Sequence, residues 1–308
     1  MLVNHKSTIM NVKQKEISSA FPFESNYLEV FGSNIHYIEE GQGDPILFLH
    51  GNPTSNYLWR NIIPYLTKQG RCIAPDLIGM GKSDKPAINY GFEDTYKYLE
   101  GFIKELGLKN ITLVLHDWGS GLGFHYANLH RENIKAIAFM EAMYDAPTLY
   151  DMPFSVRTAL KFVRNSFFGK LLVQRANIFI KKMLPDMVLR KLSEEEMTIY
   201  AAPYPSVRSR KPLLAWPKDV PFKDGKVTRV TSAVQSWAAW LAESKIPKLC
   251  FYVTPGVAIK EKDVNRIKEN FQNTKIIYLG EGLHFIQEDY PHEIGQGISE
   301  WYSQISES

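Results

Sequence analysis

The chain has 308 residues, of which 44% are hydrophobic, 13% aromatic and 22% charged. This length and composition are typical of a globular protein that buries its own apolar core, and they argue against long disordered stretches. With 36 basic and 33 acidic residues, the net charge of +3 creates no strong field for nucleic acid or an anionic membrane. We therefore expect neither a nucleic-acid partner nor a membrane partner.

The beginning of the chain and its cysteines indicate the compartment. The first twenty residues contain no apolar run of signal-peptide length, and no stretch reaches the roughly 18 apolar residues of a membrane-spanning helix. Cys72 and Cys250 each lie in a short apolar run, where a free thiol behaves as a small hydrophobic group. Because no disulfide framework is implied, we expect a reducing, cytoplasmic location.

The predicted elements begin with an antiparallel hairpin and continue as alternating strands and helices. Residues 27–31 and 35–39 flank a turn at 32–34 and should form the hairpin at a sheet edge. Amphipathic stretches such as 92–106, which Gly107 ends, predict helices. Between the helical stretches, short apolar runs predict buried parallel strands at 46–49, 111–115, 137–140, 249–253 and 276–279. This alternation predicts an α/β fold, with a parallel sheet covered by helices on both faces.

The alternation stops in the region 145–226. Helical apolar patterns at 159–168 and 171–183 are followed by proline-rich loops, and no strand pattern occurs. Because the region follows one sheet strand and precedes the next, it should form a helical cap over the carboxyl ends of the strands, where such sheets bind ligands. We therefore expect a core made of residues 1–144 and 227–308 and a cap made of residues 145–226.

Asp117 is the strongest candidate for a chemical role. A buried strand runs into the sequence HDWGS at 116–120 and then into an apolar helix, which is the setting of a nucleophile elbow. Serine hydrolases place serine at this position, but a serine that attacked a saturated carbon would leave an ether. A carboxylate leaves an ester, which a positioned water can hydrolyse. Asp117 therefore indicates displacement at a saturated carbon followed by ester hydrolysis, rather than simple capping of the next helix.

The ester requires a base, and the base requires an acid to orient it. His284 follows a late apolar strand in a glycine-rich loop, which is where the fold places its last catalytic residue. Glu141 follows the strand before the cap and is our choice for the acid, with Asp145 a poor second. The alternative position, after residue 253, offers Thr254-Pro255-Gly256 and no acid before Glu261.

Two neutral donors are candidates for stabilising the leaving group. The first buried strand ends at His50-Gly51-Asn52-Pro53, the place that normally supplies an oxyanion-hole N–H. Asn52 adds a side-chain amide, and Trp118 adds an indole N–H beside the nucleophile. Such a pair suits a departing halide, which is large and weakly basic and needs no proton.

These motifs resemble those of the haloalkane dehalogenases over about residues 23–301. The stretches HGNPTS at 50–55, APDLIGMGKSDKP at 74–86 and HDWGS at 116–120 match that family almost letter for letter. The resemblance implies an α/β-hydrolase fold with a mostly parallel eight-stranded sheet and an inserted helical cap. It also implies hydrolysis of haloalkanes to alcohol, halide and a proton by a protein that is monomeric or weakly oligomeric.

The resemblance assigns roles to individual residues. Asp117 becomes the nucleophile, His284 the base and Glu141 the acid, while Asn52 and Trp118 bind the halide. The branch of the family that this chain resembles takes its acid directly after the strand preceding the cap, where Glu141 stands. The residues expected to line the substrate pocket are Phe179, Trp216, Pro217, Val220, Val257 and Phe285.

Three other functions are compatible with parts of the pattern. The coelenterazine luciferases of the sea-pansy type share the fold and the triad, but they use an acidic residue in the first cap helix, and residues 153–163 contain none. Epoxide hydrolases share the aspartate, but Asn52 and the position of Glu141 fit them poorly. A ligand-binding protein on this scaffold would not need the five chemical residues. No metal-binding or dinucleotide motif is present, so we expect no metal and no cofactor.

Overall fold

The computed structural model describes residues 16–151 and 154–306, and an eight-stranded sheet forms its centre. The strands are β1 Asn26–Val30, β2 Ser33–Glu40, β3 Pro45–Leu49, β4 Arg71–Pro75, β5 Ile111–His116, β6 Ile134–Ala142, β7 Lys248–Pro255 and β8 Thr274–Gly282. Their order across the sheet is β1-β2-β4-β3-β5-β6-β7-β8. β2 pairs antiparallel with β1 and β4, and the other neighbouring pairs are parallel. The predicted mostly parallel eight-stranded sheet is confirmed.

Helices connect the strands and also fill the interval between β6 and β7. They are α1 Phe92–Glu105, α2 Asp117–Leu129, α3 Phe154–Arg164, α4 Ser166–Gly169, α5 Leu184–Asp186, α6 Glu194–Ala201, α7 Lys211–Asp219, α8 Arg229–Glu243, α9 Glu261–Asn270, α10 Ile286–Asp289 and α11 Pro291–Ser306. Short 3-10 turns occur at Asn56–Trp59, Ile63–Tyr65, Arg131–Asn133 and Leu149–Asp151, and π-helical turns occur at Lys170–Arg175 and Phe179–Met183.

The sheet separates two apolar cores, as the alternation of side chains along a strand requires. On β3, Leu47 and Leu49 belong to one buried cluster, together with residues of α1, α2 and α8. Ile46 and Phe48 belong to a second cluster on the opposite face, together with residues of α11. All five residues of β3 are apolar and buried, as expected for a strand in the middle of a sheet that is covered on both faces.

Two details of the sheet differ from the sequence expectations. Val30 pairs with Ser33, so the hairpin turn is Phe31–Gly32 rather than residues 32–34, and both turn residues have positive φ angles, of 51° and 72°. A two-residue turn of this kind favours Asn or Gly, and the phenylalanine concealed it. The predicted strands also omitted β4, which begins with Arg71 and ends with Pro75 and therefore lacks a long apolar run.

A buried network of four charged side chains joins the core to the helical segment before α7. Arg60, in the turn after β3, donates to both carboxylate oxygens of Glu288 in α10, at 2.7 and 2.8 Å. Arg60 also donates to Glu196 of α6 at 2.6 Å, and Arg190 contacts both Glu196 and Glu288 at 2.5 Å. Arg60, Glu196 and Glu288 are each at most 2% exposed. The two positive and two negative charges therefore neutralise one another, with three of the side chains buried and Arg190 24% exposed.

Removing Arg60 should be costly because two buried carboxylates each lose a charged partner. We expect Arg60→Ala to lower the free energy of unfolding by about 3–5 kcal/mol, the range for breaking one side of a buried pair. The matched control is Arg229→Ala. Arg229 forms an ion pair with Glu93 in which the two side chains are 87% and 59% exposed. Losing this pair should lower the free energy of unfolding by at most about 1 kcal/mol. Urea denaturation measures both, and similar small losses would contradict the argument.

Candidate active site

The turn between β5 and α2 presents Asp117 at the carboxyl edge of the sheet. The backbone φ of Asp117 is 48°, in the left-handed region that residues other than glycine seldom adopt. The turn also lies against the end of β3, where a Cβ on Gly119 would be 2.3 Å from the carbonyl oxygen of Leu49 and 2.4 Å from that of His50. Glycine at 119 therefore allows the close approach on which the strained turn depends, as in a nucleophile elbow.

Groups from three parts of the chain hold the carboxylate of Asp117. Oδ1 accepts a hydrogen bond from the backbone N–H of Asn52 at 2.8 Å, and Oδ2 lies 3.2 Å from Nε2 of His284. The backbone N–H of Trp118 also stabilises the charged carboxylate. Burial alone would raise the pKa of Asp117, but the hydrogen bond and positive charge of His284 outweigh it and hold the pKa below its ordinary value. Asp117 is therefore ionised at neutral pH.

His284 lies between two carboxylates. Its Nδ1 is 3.0 Å from Oε2 of Glu141, and its Nε2 faces Asp117. Burial disfavours the charged imidazole, but hydrogen bonds and charges from both carboxylates raise the pKa of His284 to about 10. The backbone N–H of His284 donates to the carbonyl of Met187, and its carbonyl accepts from the ring of His116 at 2.9 Å. The imidazole is thus fixed from its backbone as well as from both ring nitrogens.

Glu141 receives its support from the loop that follows β7. Its φ is 42°, its side chain is fully buried, and its carboxylate accepts three backbone N–H groups. These come from Val257 at 3.0 Å, Ala258 at 2.7 Å and Ile259 at 3.3 Å. A Cβ on Gly256 would lie 3.1 Å from Oε1 of Glu141 and 2.5 Å from the carbonyl oxygen of Ile259, so glycine makes room for this arrangement. The loop without an acid therefore contributes donors to the acid that β6 supplies.

Asp145, the other acid considered from the sequence, lies elsewhere. Its Oδ2 contacts Lys223 at 2.5 Å and Arg266 at 2.9 Å. Asp145 is therefore engaged in ion pairs with these two basic side chains, while Glu141 contacts His284.

Asn52 and Trp118 both contact the same helix, α7. The side-chain Nδ2 of Asn52 donates to the carbonyl of Leu213 at 3.3 Å, and the ring of Trp118 packs on Trp216 with centroids 4.9 Å apart. An amide nitrogen carries two hydrogens, so the bond to Leu213 leaves the second one for a ligand. α7 therefore sets the orientation of both side chains that we expect to bind the leaving group.

The residues expected to line the pocket have different surroundings. Trp216 lies on Trp118, and the buried ring of Phe285 lies 4.9 Å from that of His284. Val257 is 41% exposed, and its backbone N–H rather than its side chain reaches the triad. The other three lie in the helical segment between β6 and α8, where Phe179 and Pro217 are buried and Val220 is partly buried.

Ser120 is a positioning residue that the sequence analysis did not identify. Its hydroxyl donates to the carbonyl of Asp117 at 2.5 Å and accepts from the backbone N–H of Met143 at 2.7 Å. It thereby ties the nucleophile turn to the loop after β6, close to Glu141. The available signal was the last letter of the HDWGS motif, at the third position after the nucleophile.

The arrangement is suited to two-step displacement. An ionised carboxylate, a histidine at 3.2 Å and an acid behind the histidine are the groups needed to form and then hydrolyse an ester. The two backbone donors on Asp117 would also bind the oxyanion that forms when the ester is attacked. Within residues 16–151 and 154–306, no group of three or more His, Cys, Asp or Glu side chains is placed to hold a metal ion.

The chain is similar to known proteins over most of its length. Residues 44–279 match the family described as alpha/beta hydrolase fold. A haloalkane dehalogenase of Sphingobium indicum is 42% identical over 295 residues, which cover 93% of this chain and 98% of the relative. A haloalkane dehalogenase of Bradyrhizobium diazoefficiens is 37% identical over 302 residues, which cover 94% of this chain and 97% of that relative. The crystal structure of the haloalkane dehalogenase DbeA from Bradyrhizobium elkani superposes with a TM-score of 0.89 at 38% identity, covering 92% of this chain and 99% of that one.

The position of Asp117, the expected nucleophile, can be tested through Gly51, which packs against it. A Cβ on Gly51 would lie 2.0 Å from Oδ1 and 2.5 Å from Cβ of Asp117, so Gly51→Ala must displace the carboxylate. Because a misplacement of about 1 Å costs roughly 100-fold in rate, we expect kcat/KM for halide release to fall at least that far. The control is Gly121→Ala in α2, where a Cβ would meet its neighbours at ordinary distances of 3.7–3.9 Å. Full activity in a folded Gly51→Ala variant would contradict the described contact.

Proposed function

The chain belongs to the haloalkane dehalogenases of the alpha/beta hydrolase fold, and we propose that Asp117, His284 and Glu141 carry its hydrolysis of carbon–halogen bonds. The observation that supports this assignment is the position of His284, 3.2 Å from Asp117 and 3.0 Å from Glu141. One ring nitrogen faces the nucleophile, and the other faces a carboxylate that fixes the tautomer.

In the first step, Asp117 attacks the carbon that bears the halogen. A carboxylate oxygen forms a bond to this carbon, and the carbon–halogen bond breaks, so the halide leaves with the bonding electron pair and an alkyl ester remains on Asp117. The amide of Asn52 and the indole N–H of Trp118 donate to the departing halide. Removal of one such donor typically costs about 3 kcal/mol of transition-state stabilisation.

Ester formation prepares the base for the second step. The ester carries no charge, so His284 loses one of the two carboxylates that raise its pKa, while its burial remains. The pKa of His284 must then fall, and the neutral imidazole can accept a proton from water through Nε2. The hydroxide adds to the ester carbonyl, and the alcohol, the carboxylate of Asp117 and one proton are released.

The backbone donors that bind Asp117 in the resting enzyme serve the same step. The N–H of Asn52 already donates to the carboxylate and that of Trp118 stabilises its charge, so both lie near the point where negative charge develops on the ester oxygen. We assign them to the oxyanion of the tetrahedral intermediate. Asn52 and Trp118 therefore act twice, through their side chains on the halide and through their backbones on the ester.

We propose a small apolar haloalkane as substrate and assign residues 145–226 to the cap that covers it. The indole ring of Trp216, in the cap, lies on Trp118 and brings apolar surface next to the halide donors. The pocket assigned to Phe179, Trp216, Pro217, Val220, Val257 and Phe285 rests on family resemblance, to which the structure adds the contacts of Trp216 and Phe285 described above. Cys72 and Cys250 are free and buried, which fits a reducing compartment and supports a cytoplasmic location.

Replacing the base should trap the ester. With 1-iodohexane we expect His284→Gln to release one equivalent of iodide per enzyme and then stop, because the hexyl ester is no longer hydrolysed. Mass spectrometry should find the hexyl group on the peptide containing Asp117. Asp117→Ala should release no iodide, and the control His130→Gln, at a partly exposed histidine paired with Glu100, should turn over normally.

The same samples distinguish this assignment from its alternatives. Steady iodide release by the wild type together with an adduct in His284→Gln supports the ester mechanism. Iodide release that persists in Asp117→Ala, or a His284→Gln variant with neither burst nor adduct, would contradict it. Light from coelenterazine without halide release would assign the fold to oxygenation instead.

A further inference from the structure

Positive charge is concentrated in the first half of the helical segment between β6 and α8. Residues 154–185 contain seven basic side chains and no acidic one. The basic residues are Arg157, Lys161, Arg164, Lys170, Arg175, Lys181 and Lys182. The whole chain carries +3, and subtracting the +7 of this segment leaves −4 for the rest. The low total charge, from which we expected no membrane partner, therefore conceals a local excess.

The same segment exposes an unusual amount of apolar surface. Five large apolar side chains are exposed, namely Phe154 (76%), Phe162 (44%), Phe167 (68%), Phe168 (41%) and Leu171 (44%). The ring of Phe168 lies edge-on to Phe162 at 5.3 Å and to Phe167 at 5.4 Å, so three of the rings form one cluster. We call these five residues with Arg157, Lys161 and Lys170 the basic aromatic surface. Adjoining exposed apolar groups of this kind mark interaction sites.

Phe154 and Phe162 are exposed because of their positions on α3, which also has a buried side. Val163 is buried and faces the protein, whereas Phe154 and Lys161 lie on the opposite side of the helix at about 100° per residue, and Phe162 lies about 100° from Val163, between the two sides. α3 packs against α4 and α7. The outward face therefore carries aromatic and basic groups together, while a separate face of the helix packs inward.

The lysines of this surface are available for an external partner. Among the described residues, no carboxylate forms an ion pair with Lys161 or Lys170, both of which are exposed. By contrast, Lys182 pairs with Asp186, and Arg164 donates to the carbonyls of Lys218 and Val220. Lys161 and Lys170 are therefore the charges on which a test can act.

We propose that the basic aromatic surface binds the face of an anionic lipid bilayer. Phenylalanine and leucine side chains beside lysine and arginine are the combination that interfacial helices use, with rings at the acyl boundary and cations at the headgroups. No helix among the described residues has the length and apolar character needed to cross a membrane, so the contact is peripheral. A second copy of the chain fits less well, because two surfaces of the same positive charge would face each other.

The surface is also close to the catalytic residues. A Cβ on Gly169 of α4 would lie 2.8 Å from Cδ1 of Leu214 in α7, so the two helices are in direct contact. α7 in turn holds Asn52 through Leu213 and Trp118 through Trp216. Docking would therefore place the halide donors one helix layer from a lipid phase in which apolar molecules concentrate.

Co-sedimentation of the whole protein with phosphatidylcholine vesicles, with and without phosphatidylglycerol, tests the proposal. We expect binding only to the anionic vesicles, with loss of binding at high salt. Lys161→Gln with Lys170→Gln should lower the partition coefficient about 25-fold, because each basic residue at an anionic surface contributes about fivefold. Phe167→Ser should lower it about tenfold, the lower end of what burial of a phenylalanine ring contributes.

Matched changes elsewhere on the surface serve as controls. Lys68→Gln with Lys109→Gln removes the same charge from two other exposed positions, and Leu129→Ser removes an apolar side chain that is 54% exposed. These controls should bind the vesicles as the wild type does, and every variant should retain halide release in solution. Absence of binding to anionic vesicles would overturn the proposal. So would equal binding to neutral vesicles, or variants of the surface that dissociate a dimer without affecting vesicle binding.

Discussion

The structure of the site depends on the placement of one imidazole between two carboxylates. His284 has Asp117 on Nε2 and Glu141 on Nδ1, and the side chains of Glu141 and His284 are buried while that of Asp117 is partly exposed. The charge of one carboxylate would be neutralised by the charged imidazole. The second carboxylate gives the three groups a net charge of about −1, which the site must stabilise. Three backbone N–H groups on Glu141 and two on Asp117 supply that stabilisation without adding another charge.

This charge arrangement explains several backbone features that would otherwise be unfavourable. Asp117 is the first residue of α2, and Glu141 lies near the end of β6. Both have positive φ angles. The left-handed conformation costs roughly 1–3 kcal/mol at such positions and persists where the surroundings enforce it. Here the surroundings are the two strand ends and the loop at 256–259, and the outcome is that both carboxylates converge on His284. Glycines at 51, 119 and 256 provide the space for that convergence.

Much of this organisation is readable from the sequence, and the remainder has physical reasons for being hidden. Apolar runs and turn residues predicted the parallel strands, and the order of motifs predicted that Asp117, Glu141 and His284 would meet. The donors to Glu141 left no signal, because a backbone N–H is present at every residue except proline. The family resemblance predicted Val257 as a pocket residue, whereas in the structure its backbone N–H donates to Glu141. The hold of α7 on Asn52 likewise passes through a backbone carbonyl, that of Leu213.

Asp117 and Glu141 together set the protonation of His284, and the pKa of that imidazole measures their combined effect. Nitrogen-detected NMR of the histidine rings, assigned with His284→Gln, should show a wild-type pKa of about 10. A folded-state pKa above the ordinary 6.5 stabilises the protein fully below pH 6.5 and loses that stabilisation as the pH rises towards 10. In Asp117→Asn, which keeps the shape but removes one charge, we expect the pKa to fall well below 10 because burial is then opposed by Glu141 alone. An unchanged pKa in Asp117→Asn would mean that the charge of Asp117 does not help to set the protonation of His284.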